Sequence, residues 1–210
     1  MLKAIIFDLD GVLCHTDRYH YQAWKACADR LELQFDETKN NLLRGVSRME
    51  SLNIILGENK NDYSNQQKLE LCEEKNRHYI QLLGNMSPED ISTDVRKTLG
   101  ELRDMNIKMA IGSSSKNALT ILRKTEIIHY FDVVVDGNSI AKSKPDPEVF
   151  IKAAKQLGVQ PQNCLVIEDA SAGVEAALCG GFQVVGFGPA SKLKVCSFAV
   201  NSISEILTIL

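Results

Sequence analysis

The sequence predicts an α/β fold, a doubly wound parallel-sheet core that carries an inserted, all-helical cap domain. Two observations predict it. After residue 85, short apolar segments alternate with amphipathic ones, which is typical of a parallel sheet with helices on both faces. Residues 16–84 instead show helical periodicity with almost no strand signal. We therefore expect residues 1–15 and 85–210 to form the core and residues 16–84 to form the cap.

The composition narrows the partners and the compartment. Lys and Arg total 24 and Asp and Glu total 27, so a net charge of −3 offers no basic surface to nucleic acid or anionic lipid. No apolar run is long enough to span a membrane, and the N-terminus lacks the pattern of a secretory signal. The six cysteines are scattered, as expected of reduced thiols. We expect a cytoplasmic monomer with no nucleic-acid partner and no membrane partner.

The first element is a short apolar strand over residues 2–7, of the kind that is buried in a parallel sheet. The strand signal stops at Gly11, so Asp8 and Asp10 lie where the strand gives way to a loop, the usual binding edge of such a sheet. A carboxylate there can act as a nucleophile that forms an acyl phosphate, or as a ligand for Mg²⁺. An isolated Asp-x-Asp-Gly is also a common turn, so this interpretation depends on the segments that follow.

The next segment is predicted to be helical from residue 16 to about residue 84. Apolar residues recur at helical spacing between Tyr19 and Leu31, again over residues 42–56, and along a long final helix over residues 69–83. Gly45, Gly57 and the polar stretch 58–65 separate these helices as turns. An all-helical block inserted directly after a strand end indicates a separate lobe over the sheet.

The remaining elements are expected to alternate. The predicted strands cover residues 107–111, 131–135, 164–167 and 182–185. The predicted helices cover residues 95–105, 117–124, 147–157 and 172–179, and residues 202–210 form a last amphipathic stretch. Because the carboxyl ends of parallel strands share one edge, polar residues that follow these strands are expected to lie together.

A run of small hydroxyl residues follows the second predicted strand. Ser113, Ser114 and Ser115 lead into a helix at Asn117. Hydroxyl groups and free backbone N–H groups at such a place can bind an anion. Serine also caps helices without binding anything, and the sequence leaves both interpretations open.

Two further segments add charge to the same edge. Lys144 precedes a proline in a turn that enters a helix, where it is either a positive charge for a phosphoryl group or an ordinary solvated lysine. Glu168 and Asp169 follow a buried strand, where acidic residues suit Mg²⁺ or simply cap a helix. Phosphoryl transfer needs a nucleophile, a metal and cations around the phosphoryl oxygens. The four strand ends together offer all of these.

These segments resemble the haloacid dehalogenase superfamily of phosphotransferases, whose core is Rossmann-like. The resemblance is carried by residues 7–12, 112–117, 144–150 and 168–173 and extends over essentially the whole chain. It implies that Asp8 is the phosphorylated nucleophile and that Asp10 is the general acid and base. It also implies two sets of ligands. Phosphate would be held by Ser113, Ser114 and Lys144, and Mg²⁺ by Asp8, Asp10, Glu168 and Asp169.

Within the superfamily, the cap resembles that of the β-phosphoglucomutase family at residues 16–24, 43–48 and 75–76. This implies that Arg48 grips the phosphate that is not being transferred, that His20 positions Asp10, and that Lys75 contacts substrate. The substrate-binding residues implied in this way are Thr16, His20, Trp24, Gly45, Val46, Ser47, Lys75, Ser115 and Asn117. The implied partner is a sugar phosphate, converted between β-glucose 1-phosphate and glucose 6-phosphate, with Mg²⁺ and glucose 1,6-bisphosphate as cofactors.

Two segments depart from the family pattern. His15 stands where an Asp is usual before the hinge threonine, and Ser92-Thr93-Asp94 replaces a common Pro-Gly. Neither change involves a reacting group, and we expect His15 to be a surface residue of the hinge. Two alternatives to a mutase stay open, a sugar-phosphate phosphatase and a non-catalytic ligand-binding domain on the same fold.

Overall fold

The computed structural model describes residues 2–210, and its core is a single six-stranded sheet. All neighbouring strands are parallel, in the order β3-β2-β1-β4-β5-β6. The strands are β1 (Ala4–Phe7), β2 (Lys108–Gly112), β3 (Val133–Val135), β4 (Cys164–Glu168), β5 (Gln183–Phe187) and β6 (Phe198–Val200). The chain runs outward from β1 in both directions, which confirms the predicted doubly wound core.

Strand β1 lies at the centre of the sheet because both of its faces are apolar. Ile5 and Phe7 point into one hydrophobic cluster, while Ala4 and Ile6 point into the cluster on the opposite face. All four residues are fully buried, as the alternation of side chains along a strand with two covered faces requires. Phe7 is in register with the ends of β2 and β4, so the three strands deliver their next residues to one place.

Eight α-helices accompany the strands in the described part of the chain. They are α1 (Asp17–Arg30), α2 (Glu37–Asn41), α3 (Arg48–Leu56), α4 (Asn65–Leu83), α5 (Thr93–Asp104), α6 (Ala118–Lys124), α7 (Glu148–Leu157) and α8 (Ser171–Cys179). Helices α1 to α4 lie between β1 and α5, and α1, α3 and α4 share a third hydrophobic cluster, which includes Trp24, Leu52 and Cys72. The division into core and cap at residues 16 and 84 stays a prediction.

The element bounds after residue 85 differ from the predicted ones by at most two residues. The short edge strand β6 was missed, because its three residues sit between polar neighbours and Phe198 and Ala199 are exposed. The last amphipathic stretch contains a 3₁₀ helix, Ile203–Thr208, rather than an α-helix. Among residues 2–210, no helix combines the length and the apolar character that crossing a membrane requires.

Gly112, the last residue of β2, offers a test of the packing under the sheet edge. A Cβ atom added there would lie 2.7 Å from Cδ1 of the fully buried Phe150 and 3.1 Å from Cγ2 of Ile6. We expect Gly112→Ala to lower the free energy of unfolding by about 1–3 kcal/mol, as other overpacked cores do. Urea unfolding followed by circular dichroism measures this change.

The matched control is Gly100→Ala, because Gly100 lies within helix α5 and has open space where a Cβ would stand. Alanine favours a helix over glycine by roughly 0.5–1 kcal/mol, so this variant should be more stable than the parent protein. Equal effects of the two substitutions would contradict the packing described for Gly112.

Candidate active site

The carboxyl ends of β1, β2 and β4 open into one cavity, and residues of the cap helices and their loops line its other side. Sixteen of the seventeen predicted site residues line it. The core contributes Asp8, Asp10, Ser113, Ser114, Ser115, Asn117, Lys144, Glu168 and Asp169. The cap contributes His20, Trp24, Gly45, Val46, Ser47, Arg48 and Lys75. Residues that are far apart in the chain therefore meet at the predicted edge of the sheet.

The centre of the cavity floor is the Lys144 ammonium group, which lies between two carboxylates. Its Nζ is 2.5 Å from Oδ1 of Asp8 and 2.5 Å from Oε1 of Glu168, and all three side chains are buried. Burial by itself would lower the pKa of Lys144, but the two carboxylates raise it well above its usual value. Lys144 is therefore a permanent positive charge, and its interpretation as a solvated lysine is wrong.

Two glycines leave the room that the acidic residues occupy. A Cβ on Gly11, which has a φ of +92°, would lie 2.2 Å from Oδ2 of Asp169. A Cβ on Gly173 would lie 1.8 Å from Oε1 of Glu168. The carboxylates thus require glycine at both positions, and the positive φ favours it at Gly11 as well.

Thr16 is the predicted site residue that is not among those lining the cavity. Its side chain is fully buried, and its hydroxyl donates a hydrogen bond to Oδ1 of Asp10. The predicted substrate contact of Thr16 stays a prediction, and in the structure Thr16 holds the Asp10 carboxyl. Burial raises the pKa of Asp10 to about 6, although the Thr16 bond opposes the rise.

Lys75 and His20 form a pair on the cap side. Nζ of Lys75 lies 2.9 Å from Nδ1 of His20, and it stands over the rings of Tyr79 and Trp24 at 4.4 Å and 4.9 Å. Burial, helped by Arg48, lowers the pKa of Lys75 to about 7, and burial also lowers that of His20. Nδ1 of the neutral imidazole can accept from Lys75. The predicted role of His20 in positioning Asp10 stays a prediction.

The serine run is organised by its own hydrogen bonds. Oγ of Ser113 accepts from the backbone N–H of Ser115 at 3.1 Å, and Oγ of Ser115 accepts from that of Asn117 at 3.2 Å. The residue that precedes α6 is Asn117, whose side chain makes no capping bond. The Ser114 hydroxyl is buried without a hydrogen-bond partner within residues 2–210, although it lines the cavity. A buried hydroxyl in that state suits a polar ligand.

Two cap residues have their polar groups engaged within the protein. Ser47 caps α3, since its Oγ accepts from the backbone N–H of Glu50 at 3.1 Å. Arg48, the first residue of α3, donates from Nη2 to Oδ1 of Asn76 at 2.8 Å. Among residues 2–210, no carboxylate pairs with Arg48, so its charge is left for a ligand.

Arg44 is the most consequential residue that the sequence did not single out. Its Nη1 lies 3.2 Å from Oδ2 of Asp169 in the core, and its Nη2 bonds to Asp17 in the cap. The cap thereby places a cation on a predicted metal ligand. Other cavity-lining residues that were not predicted are Asp17, Asn40, Leu43, Ser51, Lys116, Gly137 and Ser143.

The acidic residues differ in how free they are to bind a metal. Residues 2–210 hold no cluster of three or more His, Cys, Asp or Glu side chains arranged around a common point. Glu168 bonds to Lys144 and, at 2.9 Å, to the backbone N–H of Ala170. Burial and the nearby Glu168 carboxylate raise the pKa of Asp169 to about 7. Mg²⁺ typically takes one or two carboxylates and keeps its waters, so Asp8 and Asp169 fit it.

Comparisons with known proteins agree with this geometry. A family model of haloacid dehalogenase-like hydrolases matches residues 2–181. The chain is 42% identical to β-phosphoglucomutase of Bacillus subtilis (strain 168), over 98% of this chain and 92% of that protein. It is 33% identical to a phosphorylated carbohydrates phosphatase of Thermotoga maritima, over 87% of this chain and 83% of that protein. A solved β-phosphoglucomutase from Clostridium difficile has a TM-score of 0.93 at 39% identity, and the match covers 98% and 93% of the two chains.

Asp10 should make the stability of the protein depend on pH. Its folded pKa of about 6 exceeds the ordinary value of 3.8, so the folded protein keeps a proton that the unfolded chain releases. Stability is therefore lost as the pH rises from about 4 to about 6. Asp10→Asn should gain stability relative to the parent protein over this range, by at most about 3 kcal/mol.

Urea unfolding of both proteins at pH 4 and pH 7 measures this difference. The control is Asp29→Asn, because Asp29 is an exposed residue of α1 that pairs with Lys25 at the surface. A gain for Asp10→Asn that is the same at both pH values would contradict the raised pKa.

Proposed function

This chain belongs to the haloacid dehalogenase-like hydrolase family, and on that premise we propose that it interconverts β-glucose 1-phosphate and glucose 6-phosphate. The reaction would pass through a phosphorylated Asp8 and a bound glucose 1,6-bisphosphate. The observation that carries this proposal is that one cavity is lined by a cation from each side, Lys144 from the core and Arg48 from the cap, and each can bind a phosphate. A bisphosphorylated sugar needs two such sites.

The core side of the cavity suits transfer of a phosphoryl group to Asp8. An oxygen of the Asp8 carboxylate attacks phosphorus, and the bond between phosphorus and the sugar oxygen breaks. Lys144 contacts Asp8 and can neutralise the charge on the phosphoryl oxygens while the phosphoryl group moves from the sugar oxygen to Asp8. Ser113 and Ser114 would donate to the same oxygens, since both line the cavity and the Ser114 hydroxyl has no hydrogen-bond partner within residues 2–210.

Asp10 suits the proton transfer that completes the step. The departing sugar oxygen needs a proton. A carboxyl group with a pKa of about 6 is protonated in part of the molecules near neutral pH and can supply it. Thr16 fixes the carboxyl from behind, outside the cavity. In the second half of the reaction, Asp10 would take a proton from the other sugar hydroxyl, which then attacks phosphorylated Asp8.

Membership of the family implies a divalent metal ion, and we infer that it is Mg²⁺. Asp8 and Asp169 would hold it, each through the carboxylate oxygen that Lys144 and Arg44 leave free, whereas both oxygens of Glu168 are bonded to Lys144 and to the backbone N–H of Ala170. When bound, Mg²⁺ supplies positive charge to the phosphoryl group in transfer. Glu168 then serves to anchor Lys144.

Arg48 separates a mutase from a phosphatase. Its planar guanidinium can bind a phosphate through two parallel hydrogen bonds, and it has no carboxylate partner within residues 2–210. The second candidate function is a sugar-phosphate phosphatase, which the relative from Thermotoga maritima favours. In that case water would attack phosphorylated Asp8. A ligand-binding domain without activity has no use for Asp8, Asp10 and Lys144 in one cavity.

Product analysis distinguishes these functions. The protein is given β-glucose 1-phosphate, Mg²⁺ and a trace of glucose 1,6-bisphosphate, and glucose 6-phosphate and free phosphate are measured together. We expect glucose 6-phosphate in large excess. Arg48→Ala should lower its formation by at least about a hundredfold, since a hydrogen bond to a charged group contributes about 1.5–3 kcal/mol and two are lost. Asp8→Asn should abolish it.

The control variant is Arg18→Ala, which removes an exposed cap arginine that pairs with Asp90 outside the cavity. It should leave the product ratio unchanged. Mostly free phosphate, unaffected by Arg48→Ala, would leave the phosphatase; no turnover and no phosphorylation of Asp8 with any sugar phosphate would leave the binding domain.

Arg44 should compete with the metal for Asp169, because its guanidinium already donates to that carboxylate. Arg44→Gln keeps a hydrogen-bond donor and removes the charge. We expect it to bind Mg²⁺ about tenfold more tightly, which corresponds to about 1.4 kcal/mol. Isothermal titration of Mg²⁺ into the protein without substrate measures the affinity.

Two variants serve as controls for this effect. Arg44→Lys keeps the positive charge and should stay close to the parent protein, whereas Arg18→Gln removes a distant cap charge and should change nothing. Weaker or unchanged binding of Mg²⁺ by Arg44→Gln would show that Arg44 does not compete with the metal.

A further inference from the structure

Asn76, a residue of α4, links the two sides of the cavity. Its amide oxygen accepts from Nη2 of Arg48 at 2.8 Å and from Nδ2 of Asn117 at 2.9 Å. Arg48 begins cap helix α3, and Asn117 directly precedes core helix α6. A carbonyl oxygen has two lone pairs, so Asn76 can hold both donors at once. Three segments that are distant in sequence therefore meet at one atom.

The two donors keep capacity for a ligand. Each of them uses one N–H on Asn76, while the guanidinium of Arg48 and the amide of Asn117 retain others. Both residues line the cavity, whereas Asn76 itself does not. The amide oxygen of Asn76 thus holds Arg48 of the cap and Asn117 of the core next to each other, from a position outside the cavity lining.

The neutrality of Asn76 is as important as its oxygen. A carboxylate at this position would neutralise Arg48 and repel an anion, whereas an amide fixes the guanidinium and leaves its charge unopposed. Burial lowers the pKa of Arg48 from its usual value, and no carboxylate within residues 2–210 pairs with it. Arg48 is therefore a cation held in place by Asn76, with no anion paired to it within residues 2–210.

We propose that Asn76 is a positioning residue for the phosphate that is not being transferred. By holding Arg48 and Asn117 at one point, it makes a cap donor and a core donor available to the same phosphate. The bond to Asn117 also ties the cap to the core, so binding of that phosphate and closure of the cap favour each other. The proposal rests on the proposed function, because it assigns a support to the second phosphate site.

A double-mutant cycle tests whether Asn76 acts through Arg48. The affinity for glucose 6-phosphate is measured by isothermal titration for the parent protein, Asn76→Ala, Arg48→Ala and the double variant. We expect Asn76→Ala to bind about tenfold more weakly, and the double variant to lose clearly less than tenfold relative to Arg48→Ala, because only the bond to Asn117 is then left to lose. Losses that multiply in the double variant would overturn the proposal.

Steady-state kinetics supply a second readout. Asn76→Ala should raise KM and divert product from glucose 6-phosphate to free phosphate, while the rate at which Asp8 is phosphorylated at saturating β-glucose 1-phosphate changes less than twofold. The control is Asn65→Ala, at the exposed start of the same helix, which should match the parent protein in every measurement. An unchanged KM and product ratio in Asn76→Ala would refute the positioning role.

Asn76→Asp guards against a variant that merely fails to fold. It keeps the shape and the accepting oxygen, so it preserves both hydrogen bonds but neutralises Arg48. The proposal expects weaker binding of glucose 6-phosphate by about tenfold; a residue that only holds the fold together would show unchanged binding. If the parent protein binds no hexose phosphate in an Arg48-dependent manner, the second phosphate site itself is absent and the proposed function fails first.

Discussion

The buried contact of Lys144 with Asp8 and Glu168 is the interaction on which the rest of the site depends. Charges of this kind are costly to remove from water, and they are stable only while each has its partners. The fold supplies these partners from three separate segments: the end of β1, the loop before α7 and the end of β4. The register of β1 with β4 brings Asp8 and Glu168 to the same level of the sheet. The central strand pairing is thus also the source of the site's charge balance.

An excess of acidic groups gives the site its reactivity. Asp8, Asp10, Glu168 and Asp169 line one cavity with a single permanent cation, Lys144, and burial raises the pKa values of Asp10 and Asp169. Such a site attracts further positive charge. Part of this positive charge comes from the protein itself, because Arg44 of the cap bonds to Asp169. Cap position and the charge state of the core are therefore linked by a single side chain.

Much of the core could be predicted from the sequence because its signals are local. The apolar run before Asp8 and the alternation after residue 85 each depend on neighbouring residues, and the strands that they predict are present. Arg44 and Asn76 could not be found in this way. Arg44 meets Asp169 across 125 residues and Asn76 meets Asn117 across 41, and no periodicity encodes either contact. Thr16 shows a further limit, because a sequence pattern does not reveal that its hydroxyl is buried and bonded to Asp10.

The position of Trp24 has a practical consequence. It is the only tryptophan of the chain, it is almost fully buried at the cavity, and the ammonium group of Lys75 stands over its ring. The indole emission of the whole protein therefore originates at the cleft between cap and core. Any event that moves Lys75 or admits water to the ring changes the colour and brightness of that emission. The enzyme thus carries an optical probe of its own cleft, and the kinetics of opening and closing can be followed without a label.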